Sequence, residues 1–234
     1  MKHVAVILSG CGVYDGAEIH ESVLTLLHLE QQQATYQCFA PDRQQHHVIN
    51  HLNGEEVNEH RNVLIEAARI ARGQIEPLSS LQANDFDAVI LPGGFGAAKN
   101  LSDFAFAGAK AKIIPELKQV LSAFIQAEKP VGFICIAPAI IPLLFDKTVN
   151  LTIGQDQATA DCITTMGGQH INCRVQDIVI DHAAKVVSTP AYMLAQSVLE
   201  ASEGIEKLVK AVLELINADK GSRHGASPSP SVSL

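Results

Sequence analysis

Basic residues are scarce in this chain of 234: 17 Lys and Arg stand against 25 Asp and Glu, a formal net charge of -8. They are scattered rather than clustered, which excludes a surface that tracks nucleic-acid phosphates and argues against attraction to an anionic membrane. A small neutral or electrophilic ligand fits this balance better. Long apolar runs are missing at the start, where VAVIL (residues 4–8) is too short for a signal-peptide core and far too short to span a bilayer. A cytoplasmic protein without membrane contact is therefore expected. The five cysteines, Cys11, Cys38, Cys135, Cys162 and Cys173, are odd in number and contain no C-x-x-C pair. A chain of this size does not need covalent staples, so reduced thiols follow. A closed set of Cys and His at zinc-finger spacing is also lacking. His47 and His51 are four apart and Glu55 and Glu59 continue the register, but the segment is polar throughout and reads as a solvated face, so no metal is expected. His20 and His170 have no discernible partner.

What is present is a large apolar fraction, 47%, enough to bury the core of one α/β domain of generous size. Residues 4–8 read as a buried parallel strand opening into Ser9-Gly10-Cys11-Gly12. Residues 17–31 carry apolar positions at helical spacing, with Asp15 as the expected N-cap. Further strands are predicted at 35–40, 88–91 and 130–134, and helices at 63–72 and 113–127. A hairpin or a pair of edge strands is predicted from 178–180 and 186–187, then a helix over 191–216. The repeated strand-helix order predicts an open, mostly parallel sheet with helices on both faces, a three-layer sandwich. One domain is expected over residues 1–218, with 41–77 as an insertion or excursion beside the site. Residues 219–234, rich in Ser, Pro and Gly, read as a disordered tail, native or appended.

Parallel strands joined by right-handed crossovers end on one side of a sheet, so Gly10 to Gly12, Pro92 to Gly94 and Phe133 to Cys135 should converge there. Cys135 sits at a sharp strand-to-helix turn, where nearby amides favour a thiolate. The setting is that of a nucleophile elbow, whose small flanking residues two before and two after are met by Ala137 but not by Phe133. A cysteine serving as a small core hydrophobe is the competing reading. Gly93 and Gly94 let the backbone approach a ligand, and the Gly94 amide with that of Ile136 would make an oxyanion pocket; a plain tight turn is the alternative. Glu21, in the first helix, is placed to look into the same crevice, although Glu18 and Glu21 also suit a solvated acidic face. Cys11 is a candidate for the pocket lining.

The motifs SGCGVYDGAEIHE (residues 9–21), LPGGFGAAKNL (91–101), GFICIAPA (132–139) and TPAYML (189–194) together resemble the ElbB branch of the DJ/PfpI superfamily. This branch is also described as ES-type or isoprenoid-biosynthesis, amidotransferase-like glyoxalase. The resemblance covers the chain from Lys2 to about Ile216. It implies a flavodoxin-like, class I glutamine amidotransferase-like sandwich, with Cys135 as nucleophile and Glu21 facing it. It also implies an oxyanion pocket of the Gly94 and Ile136 amides, a homodimer, and a cofactor-free conversion of glyoxal to glycolate, a glutathione-independent lyase reaction on a small carbonyl substrate. Many relatives place a histidine after the nucleophile's helix, whereas here that stretch reads LTIGQD (151–156). Amide hydrolysis needs a base and then an acid for the leaving amine, so the missing histidine favours an aldehyde over an amide. Two alternatives accompany this reading: a redox or stress sensor with an oxidisable Cys135, and an amidotransferase or amidase.

Overall fold

The computed structural model describes residues 1–222. Its strands are β1 (His3–Ile7), β2 (Thr35–Ala40), β3 (Ile49–Asn50), β4 (Glu55–Glu56), β5 (Ile75–Pro77), β6 (Ala88–Leu91), β7 (Val131–Ile134), β8 (Asn150–Leu151), β9 (Gln169–His170), β10 (Val179–Asp181) and β11 (Val186–Thr189). The helices are α1 (Ile19–Gln31), α2 (Val63–Ile70), α3 (Phe95–Lys99), α4 (Phe104–Ala107), α5 (Pro115–Gln126), α6 (Gln157–Thr165) and α7 (Val198–Ser222). Seven strands form the central sheet in the order β10-β11-β7-β6-β1-β2-β5. Every pair in it is parallel except β10 with β11.

Side chains alternate across this sheet with the period of two that a strand imposes. Ala5 and Ile7 of β1 join Val89, Leu91, Val131 and Phe133 on the face covered by Leu117, Leu121 and Phe124 of α5. Val4, Val6 and Leu8 join Ile90 and Ile134 on the other face, covered by Leu24 and Leu29 of α1 and by Leu208, Val209 and Val212 of α7. Both faces are dry, which is why β1, β6 and β7 read as unbroken apolar runs rather than alternating ones. Gly132 lies under α7, where an added Cβ would stand 3.1 Å from Leu208 and 3.2 Å from Val212.

The first helix begins at Ile19, two residues later than its periodicity suggests, and its cap is Glu18 rather than Asp15. The Glu18 Oε2 accepts the Glu21 amide at 2.7 Å, while Asp15 is drawn away to accept the amide of Ile49 at 2.8 Å. Residues 41–77 hold the β3–β4 hairpin, α2 and then β5, which pairs with β2 and forms one edge of the central sheet. The expected helix over 191–216 is two pieces, a 3-10 turn at Ala191–Met193 and α7. Of the segment 219–234, residues 219–222 continue α7 and the remainder lies outside the described residues.

Candidate active site

Strands β1, β6 and β7 are sheet neighbours and run parallel, so their carboxyl ends lie side by side. Cys135 follows β7 directly. Its amide still bonds the Thr189 carbonyl of the neighbouring strand at 3.0 Å, but its φ is +64°, a left-handed conformation that costs a residue with a Cβ roughly 1–2 kcal/mol. The chain then turns into the 3-10 segment Ala137–Leu143. This strained turn aims the sulfur out of the sheet, as in a nucleophile elbow.

The elbow is crowded, and Gly93 makes it possible. A Cβ on Gly93 would run into the Cβ of Cys135 and would stand 2.7 Å from both the Glu21 Oε2 and the Ile134 carbonyl. The smallness that elbows usually draw from the residue two before the nucleophile comes here from another strand end. Phe133 is free to be large because it points into the core beneath α5.

Glu21, in the first turn of α1, is fully buried. Its Oε2 accepts the Gly93 amide at 2.9 Å and its Oε1 the Tyr192 amide at 3.2 Å, and its carboxyl hydrogen-bonds the Cys135 thiol. Burial, and secondarily the charge of Glu18, pushes the Glu21 carboxyl up to about 8. Burial likewise raises the Cys135 thiol well above its ordinary value, with the Glu21 charge as the second cause. The amides of Gly94 and Ile136 oppose that rise by donating to the sulfur. Two anions in so dry a space repel, so both groups keep their protons at neutrality and the pair, titrating as a unit, gives up its first proton only as pH rises through about 8.

Beside the sulfur lies a cavity of about 310 Å³ lined by Val13, Gly94, Phe95, Ala98, Phe104, Ala105, Cys135, Ile136, Thr159, Tyr192 and Met193. Cys135, Gly94 and Ile136 are thus brought together at one wall, with Glu21 and Gly93 directly behind. Cys11 is not in that wall; it is half-buried, and burial and the charge of Glu66 raise its thiol. His47 and His51 face different carboxylates, Glu56 at 3.9 Å and Asp15 at 3.8 Å. Among the described residues no group of three or more His, Cys, Asp or Glu side chains is placed to hold a metal ion. The two histidines that lacked partners in sequence find them across the fold: His20 Nδ1 lies 2.7 Å from the Tyr192 hydroxyl, and His170 Nε2 accepts the Ile153 amide at 3.2 Å. His170 is therefore tied to the stretch where a triad histidine was sought, but it does not line the cavity. Tyr192, whose amide holds Glu21, and the cavity walls Phe95, Phe104, Thr159 and Met193 carried no site signal beyond Phe95, Tyr192 and Met193 lying in motifs.

No family model matches the chain. A human protein named glutamine amidotransferase-like class 1 domain-containing protein 3, mitochondrial, is 46% identical over 222 residues, 91% of this chain and 82% of that one. The zebrafish ES1 protein, mitochondrial, is 35% identical over 208 residues, 82% of this chain and 77% of its own. A crystal structure of an isoprenoid biosynthesis protein with amidotransferase-like domain from Ehrlichia chaffeensis superposes with a TM-score of 0.86 at 37% identity, covering 92% of this chain and 100% of that one. Glyoxalase III of Candida albicans, at a TM-score of 0.57 and 16% identity over 93% of this chain and 97% of that one, shares the fold alone. The cytoplasmic expectation is overturned by the curated relatives, which are named as mitochondrial proteins. Reduced thiols report the redox poise of a compartment and not the membrane around it. Among the described residues, no helix is long and apolar enough to cross a membrane. With such relatives matched over most of its length, the chain belongs to the ES1 group of glutamine amidotransferase-like class 1 proteins, built on the DJ-1/ThiJ/PfpI fold.

Proposed function

We propose that this protein is a cofactor-independent glyoxalase that converts small dicarbonyls such as glyoxal to 2-hydroxy acids through a covalent intermediate on Cys135. The observation that carries the reading is the buried, hydrogen-bonded pair of Glu21 and Cys135 opening on a cavity with two backbone amides at its sulfur. The names of the curated relatives support the mitochondrion as its compartment.

In the reactive form the pair has given up one of its two protons; Glu21 holds the other and Cys135 is thiolate. The sulfur attacks one aldehyde carbon, and the alkoxide that forms takes the proton from Glu21 while the Gly94 and Ile136 amides, released by the sulfur, hold the oxygen. Glu21, now a carboxylate, removes the hydrogen of the hemithioacetal carbon as a proton and returns it to the neighbouring carbon through an enediol. The result is a hydroxyacyl thioester. Water cleaves the carbon–sulfur bond, giving glycolate and restoring the pair. No outside oxidant is needed, since one carbon is oxidised and its neighbour reduced. An aldehyde has no leaving group to protonate, which suits a site whose cavity, among the described residues, is lined by no histidine.

The test is glycolate formation from glyoxal by purified, chelator-treated protein and by its Cys135→Ser variant. Turnover that survives chelation and falls on the order of 10³-fold or more in the variant supports the reading; equal rates for the two proteins sink it.

A further inference from the structure

Glyoxal is a poor match for the cavity into which Cys135 opens. At the roughly 30 Å³ that one water occupies in the liquid, a space of about 310 Å³ takes on the order of ten non-hydrogen atoms, and glyoxal has four. The chemistry of the walls is also one-sided. The sulfur and the Gly94 and Ile136 amides gather at one place, and the rest is built mainly from Val13, Phe95, Ala98, Phe104, Ala105 and Met193. Thr159 and Tyr192 are the polar side chains in the lining, and no charged side chain of the described residues belongs to it. A carboxylate or phosphate substituent would lose its hydration there without a cation to replace it. Apolar walls around a few placed polar groups are the form of a site that holds an apolar body by contact and orients one polar end. Phe95, 45% exposed, extends the apolar lining toward the solvent.

We infer that the preferred substrate is a neutral 2-oxoaldehyde whose ketone carbon carries an apolar group of aryl or branched-alkyl size. This rests on the glyoxalase reading and narrows it. The aldehyde carbon of R–CO–CHO receives the sulfur, and Glu21 moves the proton from that carbon to the one bearing R. The thioester R–CH(OH)–CO–S–Cys135 is then cleaved by water to R–CH(OH)–COOH, and the thiol regains its proton. The aldehyde carbon is oxidised and the ketone carbon reduced. Transition-state contact with R raises kcat/KM in proportion to the apolar surface it buries.

The experiment compares initial-rate kcat/KM for glyoxal, methylglyoxal and phenylglyoxal in the full chain and in Ala105→Trp, which fills an exposed edge of the cavity. A turnover-independent arm measures protection of Cys135 from iodoacetamide by the neutral product analogues mandelamide and glycolamide. Phenylglyoxal is expected to exceed glyoxal by about 10-fold or more, and Ala105→Trp, at an unchanged melting temperature, to lower that ratio by a similar factor. Mandelamide is expected to protect at a concentration about tenfold lower than glycolamide. Glyoxal turned over as well as phenylglyoxal, with equal protection by the two amides, overturns the substrate class and leaves the glyoxalase reading standing. Turnover of none of the three dicarbonyls overturns the glyoxalase reading and the substrate class with it.

Discussion

Replacing Glu21 by Gln should make the protein more stable at alkaline pH while disabling it. An acid whose ordinary value is 4.5 and whose folded value is about 8 keeps a proton on folding that the unfolded chain has released. The folded state therefore binds more protons between those values. The stability is fully present below pH 4.5 and is lost as pH rises through about 8. At about 1.36 kcal/mol for each tenfold change, the loss approaches ~5 kcal/mol above pH 8, of which about 4 kcal/mol falls between pH 5 and pH 8.5. Cys135, whose thiol is also raised, adds a loss of the same sign, but only as pH climbs past the ordinary thiol value of 9.0. Melts at pH 5 and 8.5 therefore isolate the carboxyl. The Gln side chain escapes this loss but must turn its NH₂ toward either the Gly93 or the Tyr192 amide, both of which now donate to Glu21. An unpaired buried amide costs about 1–3 kcal/mol at every pH. The variant should thus melt below the parent at pH 5 and above it at pH 8.5, the difference swinging by roughly 8–15 °C for a chain of this length. Glyoxal turnover should fall on the order of 10²-fold or more, since an amide cannot relay a proton, while iodoacetamide labelling of Cys135 is not slowed, because the Gln side chain carries no charge to raise the thiol. A melting difference that is the same at both pH values would refute the buried, proton-retaining carboxyl, and undiminished turnover would refute the relay.

Two further outcomes follow from the same geometry. Gly93→Ala should cost about 1–3 kcal/mol by overpacking and abolish turnover, because its Cβ would collide with that of Cys135 and press on Glu21; thermal melts and rates at matched folded fraction check this, and a fully active alanine variant would contradict the close approach. Glu18→Gln keeps an oxygen for the Glu21 amide but removes the charge that helps raise Glu21. Its pH–rate profile should therefore move toward acid by up to about one pH unit with little change in height, and a profile that stays in place or moves toward base would refute that coupling.

Much of the layout was legible because it is local. The unbroken apolar runs at β1, β6 and β7 report strands covered on both faces, and parallel strands necessarily bring their glycine-rich ends together. That is how Cys135 and Glu21, 114 positions apart by their numbers, were placed in one crevice. The misplaced features are those decided by distant partners. Asp15 is a good capping residue by type, but the amide of Ile49 claims it, and Glu18 takes the cap. The helix expected from 191 is broken at its start because Ala191 adopts a φ of +42°, and the following Tyr192 amide is turned toward Glu21, 171 residues earlier. The large Phe133 before the nucleophile counted against an elbow only until Gly93 proved to supply the missing space. The cavity walls from α4 and α6 carry no local signature, since apolar residues that line a pocket look like those that fill a core. The mitochondrial names of the relatives reflect an address that neither charge nor thiol count encodes.

The most direct measurement is acid quench of the protein during steady-state turnover of a dicarbonyl in heavy water, with peptide mass spectrometry of the protein and of its product. A hydroxyacyl adduct on the peptide containing Cys135 is expected, absent from the Cys135→Ser variant, with solvent deuterium on the reduced carbon of the hydroxy acid because Glu21 exchanges its proton with water during the relay. Rapid turnover with no adduct on Cys135 and no deuterium on that carbon would contradict both the covalent role of the thiol and the proton path through Glu21.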